Sequence, residues 1–186
     1  MENNKNNYVI LGLGSNLGQR LENIKNCCEK LGNIIKITDF SNIYSSQALL
    51  PDNAPDSWNI DFYNCVIVGY TSLNRETFHE EIKKLEQEIN KNSRNSEFWS
   101  PRMMDIDIIS FNDEVFESDQ LNLPHKRMKE RTFVIWPLAD IKPDWNHPQT
   151  KENIVELAQN FGVKYPDEVN SADTPLKTKK LDIKPL

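Results

Sequence analysis

Apolar and polar positions recur along this chain with two periods, and these sort it into strands and helices. Residues 8–13 form a near-continuous apolar run that reads as a buried strand. Residues 17–31 carry Leu17, Leu21, Ile24, Cys28 and Leu31 at spacings of 4, 3, 4 and 3, the period of an amphipathic helix. Ser15 or Asn16 would cap its start and Gly32 its end. Residues 34–44 and 62–70 read as further strands, separated by a long polar loop with two prolines, a kind of segment that is often functional. Phe78, Ile82, Leu85 and Ile89 mark one face of a helix over 75–89. A second polar loop leads to a strand over 104–111. A helix over 130–141, interrupted by Pro137, and a short helix over 154–161 follow.

The order strand, helix, two strands, helix, strand predicts an α+β fold with a ferredoxin-like β-α-β-β-α-β core. Its sheet is expected to be mainly antiparallel, with both core helices on one face and the later elements extending it or covering the other. The last residues are polar and contain two prolines, so 1–170 is read as one domain and 171–186 as a polar C-terminal arm or linker.

Composition narrows the class. The 186 residues suffice for one domain with a sizeable core, and 38% hydrophobic with 27% charged residues describes a soluble globular chain. The net charge of -6 gives no support for nucleic-acid binding. No apolar run approaches the roughly 18 residues of a membrane span, and the polar N-terminus lacks the apolar segment of a signal peptide. Cys27, Cys28 and Cys65 are odd in number and form no C-x-x-C, which suggests neither a disulfide framework nor a zinc site and implies a reducing, cytoplasmic compartment.

The last strand of the core raises a chemical question. Asp105 and Asp107 are two residues apart, so they share one face, while Met104, Ile106 and Ile108 fill the other. Adjacent carboxylates repel unless a cation joins them. Oxygen ligands suit Mg²⁺, which typically takes one or two carboxylates plus substrate phosphates. The plain alternative is an edge strand with a solvated polar face. Around the pair lie Arg94, Arg102, His125, Lys126, Arg127, Lys129 and Arg131, which suit a polyphosphate with its metal, or else a solvated basic helix end. Phe62 and Asn64 share a strand face, where an amide beside an aromatic ring can read the edge of a flat heterocycle or simply satisfy a loop backbone. The turn after the first strand holds Gly12, Gly14 and Gly18 but matches neither the dinucleotide fingerprint nor a Walker loop. It reads as glycines that permit close packing beneath a ligand.

Four segments, "GLGSNLG", "FYNCVI", "WSPRMMDIDII" and "LPHKRMKERTFVIWPLADI", occur in an order and spacing that resembles the 6-hydroxymethyl-7,8-dihydropterin pyrophosphokinases of folate biosynthesis. The resemblance spans roughly residues 8–161 and implies transfer of the pyrophosphoryl group of ATP to the pterin's hydroxymethyl oxygen, releasing AMP. It implies Asp105 and Asp107 as ligands of two Mg²⁺ ions, with Arg102 beside them as a catalytic cation. Arg94, His125, Lys126 and Arg131 fall on the ATP side, as do Ile108 and Glu86 or Gln87 near the adenosine. The pterin side comprises Ser46, Gln47, Leu49, Phe62, Asn64 and Phe133, together with Trp99 on the same catalytic loop as Arg102. The chain departs from the family pattern at Gln47, a usual proline, at Ser100, a usual glycine, and before Trp99, where a single arginine replaces a pair and Lys91 can stand in for the other. Fusion to, or association with, another folate enzyme such as dihydropteroate synthase is a further implication. A non-enzymatic ferredoxin-like binding module is the competing class, distinguished by the absence of AMP release.

Overall fold

A computed structural model of the chain describes residues 6–91, 93, 99–170 and 174–186. Its elements are β1 (Asn7–Ser15), α1 (Arg20–Leu31), β2 (Lys36–Phe40), β3 (Tyr44–Ser46), β4 (Phe62–Thr71), α2 (Arg75–Asn90), β5 (Asp105–Phe111), β6 (Phe116–Glu117), β7 (Asn122–Leu123), α3 (Thr132–Ile141), α4 (Ile154–Gln159) and β8 (Lys179–Lys180). The main sheet runs β5-β1-β4-β3-β8, with β2 also on β4, and its pairings are antiparallel. This is the expected α+β, ferredoxin-like arrangement.

Alternation along the strands divides the core into two layers. Leu11, Leu13, Ile67, Ile106 and Ile108 face α1 and α2 in one apolar cluster. Ile10, Val66, Val68 and Ile109 face α3 and α4 in the other, around Trp136. Both core helices thus cover one face, and the later helices close the second.

Local departures have physical causes. The strand expected over 34–44 is split, because Ser41 turns inward, exchanges a backbone bond with Val66 and accepts the Val66 N–H on its hydroxyl at 2.9 Å. Helix α1 starts at Arg20, not at residue 17, and neither Ser15 nor Asn16 caps it. Ser15 Oγ instead accepts from Asn23 at 3.1 Å. Helix α3 runs through Pro137 without a break. The proline withholds only the N–H that Phe133 C=O would accept one turn earlier. The segment expected as a polar arm contributes β8 to the sheet edge.

Candidate active site

The site lies on the face of β1, β4 and β5 that looks toward α3. Register puts Asn64 of β4 opposite Gly14 of β1, and Gly14 opposite Asp105 of β5. One row along, Gly12 stands beside Asp107. The missing side chains of β1 leave bare floor between an amide on one side and two carboxylates on the other. A Cβ on Gly14 would lie 3.1 Å from Asn64 Oδ1, closer than side chains normally approach, and in contact with Phe62 Cδ1 at 3.4 Å. A cavity of about 400 Å³ stands over this floor, lined by Ser46, Gln47, Leu49, Leu50, Phe62, Asn64, Lys83, Glu86, Trp99, Arg102, Asp105, Asp107, His125, Arg131 and Phe133.

On the amide side, Asn64 is buried and donates to Ser46 Oγ at 3.0 Å. Its partner is therefore another side chain of the cavity wall. On the acidic side, each carboxylate has a cation. Arg102 Nη1 is 3.0 Å from Asp105 Oδ1, and Arg131 Nη1 is 2.7 Å from Asp107 Oδ2. Burial, then the neighbouring Asp107 charge, pushes the Asp105 carboxyl up to about 6 against the opposing pull of Arg102. Among the described residues Arg131 Nε is buried without a hydrogen-bond partner, and its guanidinium carbon is 5.8 Å from the centre of the Phe133 ring. Burial, followed by the charges of Arg131 and Arg127, holds the His125 imidazole below its ordinary value despite Asp107. His125 Nδ1 accepts the Arg127 N–H at 3.2 Å, which assigns the ring proton of the neutral form to Nε2, 3.8 Å from Asp107.

Two asparagines fix the approach to β5. Asn16 donates its N–H to Arg102 C=O and accepts the Arg102 N–H on Oδ1 at 2.9 Å. Asn90 brackets Met104 with its side-chain amide alone, donating from Nδ2 to Met104 C=O at 2.7 Å and accepting the Met104 N–H on Oδ1 at 3.1 Å. Trp99, just before this segment, has φ of 76°, a conformation that non-glycine residues rarely adopt outside constrained sites.

Of the residues expected from sequence, the cavity gathers Ser46, Gln47, Leu49, Phe62, Asn64, Glu86, Trp99, Arg102, Asp105, Asp107, His125, Arg131 and Phe133. Gln87 faces a separate depression with His79 and Gln120, which leaves Glu86 as the α2 residue of the expected pair at the site. Lys126 is exposed and outside the cavity wall, and the Ile108 side chain packs in the α1–α2 core. Arg94 lies outside the described residues. Sequence reasoning missed Leu50, Lys83 and Asn16. Lys83 pairs with Glu86 at 2.6 Å, an i,i+3 spacing that could have flagged it once Glu86 was singled out.

Paired carboxylates with facing cations on a ferredoxin-like sheet give a charged cavity whose residue types could hold an anionic substrate and a hard cation. Comparison with known proteins gives the family. Residues 10–143 match the family model described as 7,8-dihydro-6-hydroxymethylpterin-pyrophosphokinase (HPPK). The 2-amino-4-hydroxy-6-hydroxymethyldihydropteridine pyrophosphokinase of Aquifex aeolicus is 36% identical over 149 residues, covering 80% of this chain and 89% of that protein. A folate synthesis bifunctional protein of Chlamydia muridarum is 38% identical over 140 residues, covering 74% of this chain but only 31% of that protein. Among solved structures, wild-type Plasmodium falciparum HPPK-DHPS superposes with a TM-score of 0.66 at 16% identity, over 96% of this chain and 45% of that one, a likeness of fold. The chain belongs to the 7,8-dihydro-6-hydroxymethylpterin-pyrophosphokinase family. Pyrophosphoryl transfer in folate biosynthesis follows from that membership.

Proposed function

We propose that the cavity binds ATP and 6-hydroxymethyl-7,8-dihydropterin side by side, with Asp105 and Asp107 holding two Mg²⁺ ions on the ATP phosphates. The observation that carries this reading is the row Asn64–Gly14–Asp105 across three strands. It sets an amide and a carboxylate on one floor, with only glycine between them, which supports a heterocycle at the first and a metal at the second. The donor set the chain could offer the ion is the two carboxylates of Asp105 and Asp107, since among the described residues no cluster of three or more acidic, histidine or cysteine side chains gathers at one point. A pair of carboxylates suits a hard cation that takes the rest of its shell from phosphate and water. When bound, Mg²⁺ neutralises phosphate charge and lowers the pKa of the attacking hydroxyl.

The chain's own residues do the rest. Asn64 and Ser46 read the pterin edge, with Phe62 and Phe133 against its ring. The pterin hydroxymethyl oxygen bonds to the β-phosphorus, the bond between that phosphorus and the α-phosphate bridging oxygen breaks, AMP leaves, and the hydroxyl proton goes to solvent. With Asp105 and Asp107 holding the metal, Arg102 and Arg131, whose buried Nε has no acceptor among the described residues, would be free to contact the phosphates. Neutral His125 donates from Nε2 to a phosphate oxygen. Glu86 lies on the adenosine side. Arg94 is a further phosphate cation on the resemblance alone.

Residues 1–170 carry the pyrophosphokinase domain in this reading, with the C-terminal arm docked through β8 on its sheet edge. Bifunctional relatives support association with another folate enzyme such as dihydropteroate synthase. Three free, buried cysteines support a reducing, cytoplasmic compartment. No helix among the described residues is long and apolar enough to cross a membrane. The test is incubation with ATP, Mg²⁺ and the hydroxymethyl pterin. AMP release that requires the pterin and stops on chelation is expected. ADP release, or no turnover, would overturn the reading in favour of an ordinary kinase or a binding module.

A further inference from the structure

Strand β3 is only three residues long, yet it carries Ser46 and leads into Gln47 and Leu49 on the cavity wall. Its inner edge pairs with β4, Tyr44 opposite Asn64 and Ser46 opposite Phe62. Its outer edge is covered by the C-terminal segment, which lies beyond the family match that ends at residue 143. Tyr44 and Ser45 pair with Lys180 and Lys179. Ile43 C=O accepts from Leu181, Ile43 N–H donates to Ile183 C=O, and Gln47 N–H donates to Leu176 C=O, each at 2.8 Å. Backbone bonds to this strap therefore run from Ile43 to Gln47.

The strap is itself anchored at two points. Lys180 Nζ is 2.7 Å from Asp140 Oδ2, on a carboxylate that also accepts the Tyr44 hydroxyl at 2.7 Å and the Tyr165 hydroxyl at 2.8 Å. Thr178 Oγ1, fully buried, is 2.6 Å from Thr132 Oγ1 and donates to Pro175 C=O at 2.8 Å. The Thr132 hydroxyl is then the donor between the two threonines. Thr132 opens α3 between the cavity residues Arg131 and Phe133. One segment thus ties together the two walls between which the pterin is read, the β3 loop and the first turn of α3.

We propose that residues 174–183 are a positioning strap for the pterin substrate, with Thr178 and Lys180 as its positioning residues. This deepens the proposed function and rests on its assignment of Ser46 and Asn64 to the pterin. Without the strap, β3 is a bare three-residue edge and the loop from Gln47 must be ordered by the incoming pterin, at the expense of affinity. The ATP side, built on α2 and β5, keeps its supports.

The test uses the full chain with Thr178→Val, Thr178→Ser and Lys180→Met, measuring melting temperature, kcat, and KM for pterin and ATP separately. Loss of a buried hydroxyl bond predicts a pterin KM higher by about fivefold or more in Thr178→Val, with ATP KM and kcat within about twofold and pterin KM restored by Thr178→Ser. Lys180→Met, at a half-exposed position, predicts the same split and serves if Thr178→Val does not fold. Unchanged pterin KM in a folded variant, or an equal rise in both KM values, would overturn the strap. A wild-type chain that releases no AMP would overturn the reading of the site and the strap with it.

Discussion

Arg131 Nη1 lies 2.7 Å from Asp107 Oδ2, so the cation and the carboxylate to which the proposed function gives a phosphate and a metal are each other's partners. Arg102 and Asp105 repeat the arrangement at 3.0 Å. The repulsion expected between the aspartates is therefore offset by arginines, unequally. Arg131 is the more buried guanidinium, with side-chain exposure of 14% against 28% for Arg102.

This inequality predicts opposite effects on the metal-free fold. Asp107→Asn strands a buried guanidinium and is expected to lower stability by about 1–3 kcal/mol. Asp105→Asn is expected to leave stability equal or higher. Denaturant melts of both variants in chelator decide the matter. Equal losses would contradict the asymmetry.

Asp105 also gives a pH signature. Its carboxyl titrates near 6 in the folded chain, above its ordinary range near 4. Between those values the folded state binds more protons than the unfolded state. This group's contribution to stability therefore falls as pH rises through that window. Melting temperature against pH, without metal, is expected to lose this component of its slope in Asp105→Asn. An identical slope in both proteins counts against the assignment.

The glycine floor predicts a substrate-selective defect. Gly14→Ala sets a methyl 3.1 Å from Asn64 Oδ1 and 3.4 Å from Phe62, so it should weaken pterin binding more than ATP binding. Asn64→Ala should do the same, by about tenfold, through loss of hydrogen bonds to the heterocycle. Calorimetry with each ligand alone checks both. Equal loss of pterin and ATP affinity would move the amide out of the pterin site.

These residues mark where sequence periodicity sufficed and where it stopped. Alternation put Asp105 and Asp107 on one face because a strand's side-chain period does not depend on its neighbours. Helix faces were readable for the same reason, as Phe78, Ile82 and Leu85 are all buried. Ser15 and Asn16 misled because cap residues and tertiary hydrogen-bonding residues are the same types. Asn16 spends its amide on Arg102 across the fold. Ser41 breaks a strand through Val66, 25 residues away. Strand β8 was invisible because two lysines have no hydrophobic period, and its stability comes from β3 and Asp140.

Asn16 then predicts a positioning effect. Asn16→Ala removes the side-chain half of the grip on the Arg102 backbone and should lower kcat by about tenfold, with smaller changes in either KM. Steady-state kinetics with both substrates checks this. A defect confined to pterin KM would place Asn16 with the pterin instead of the catalytic loop.

The most direct test of the central claim, that Asp105 and Asp107 hold the metals of pyrophosphoryl transfer, is AMP release by Asp107→Asn at saturating ATP, pterin and Mg²⁺, on protein shown by melting to be folded. Loss of a direct metal ligand predicts a fall of about two orders of magnitude or more. A folded Asp107→Asn chain that melts early yet releases AMP at the wild-type rate would contradict the account and leave the aspartate as a structural partner of Arg131.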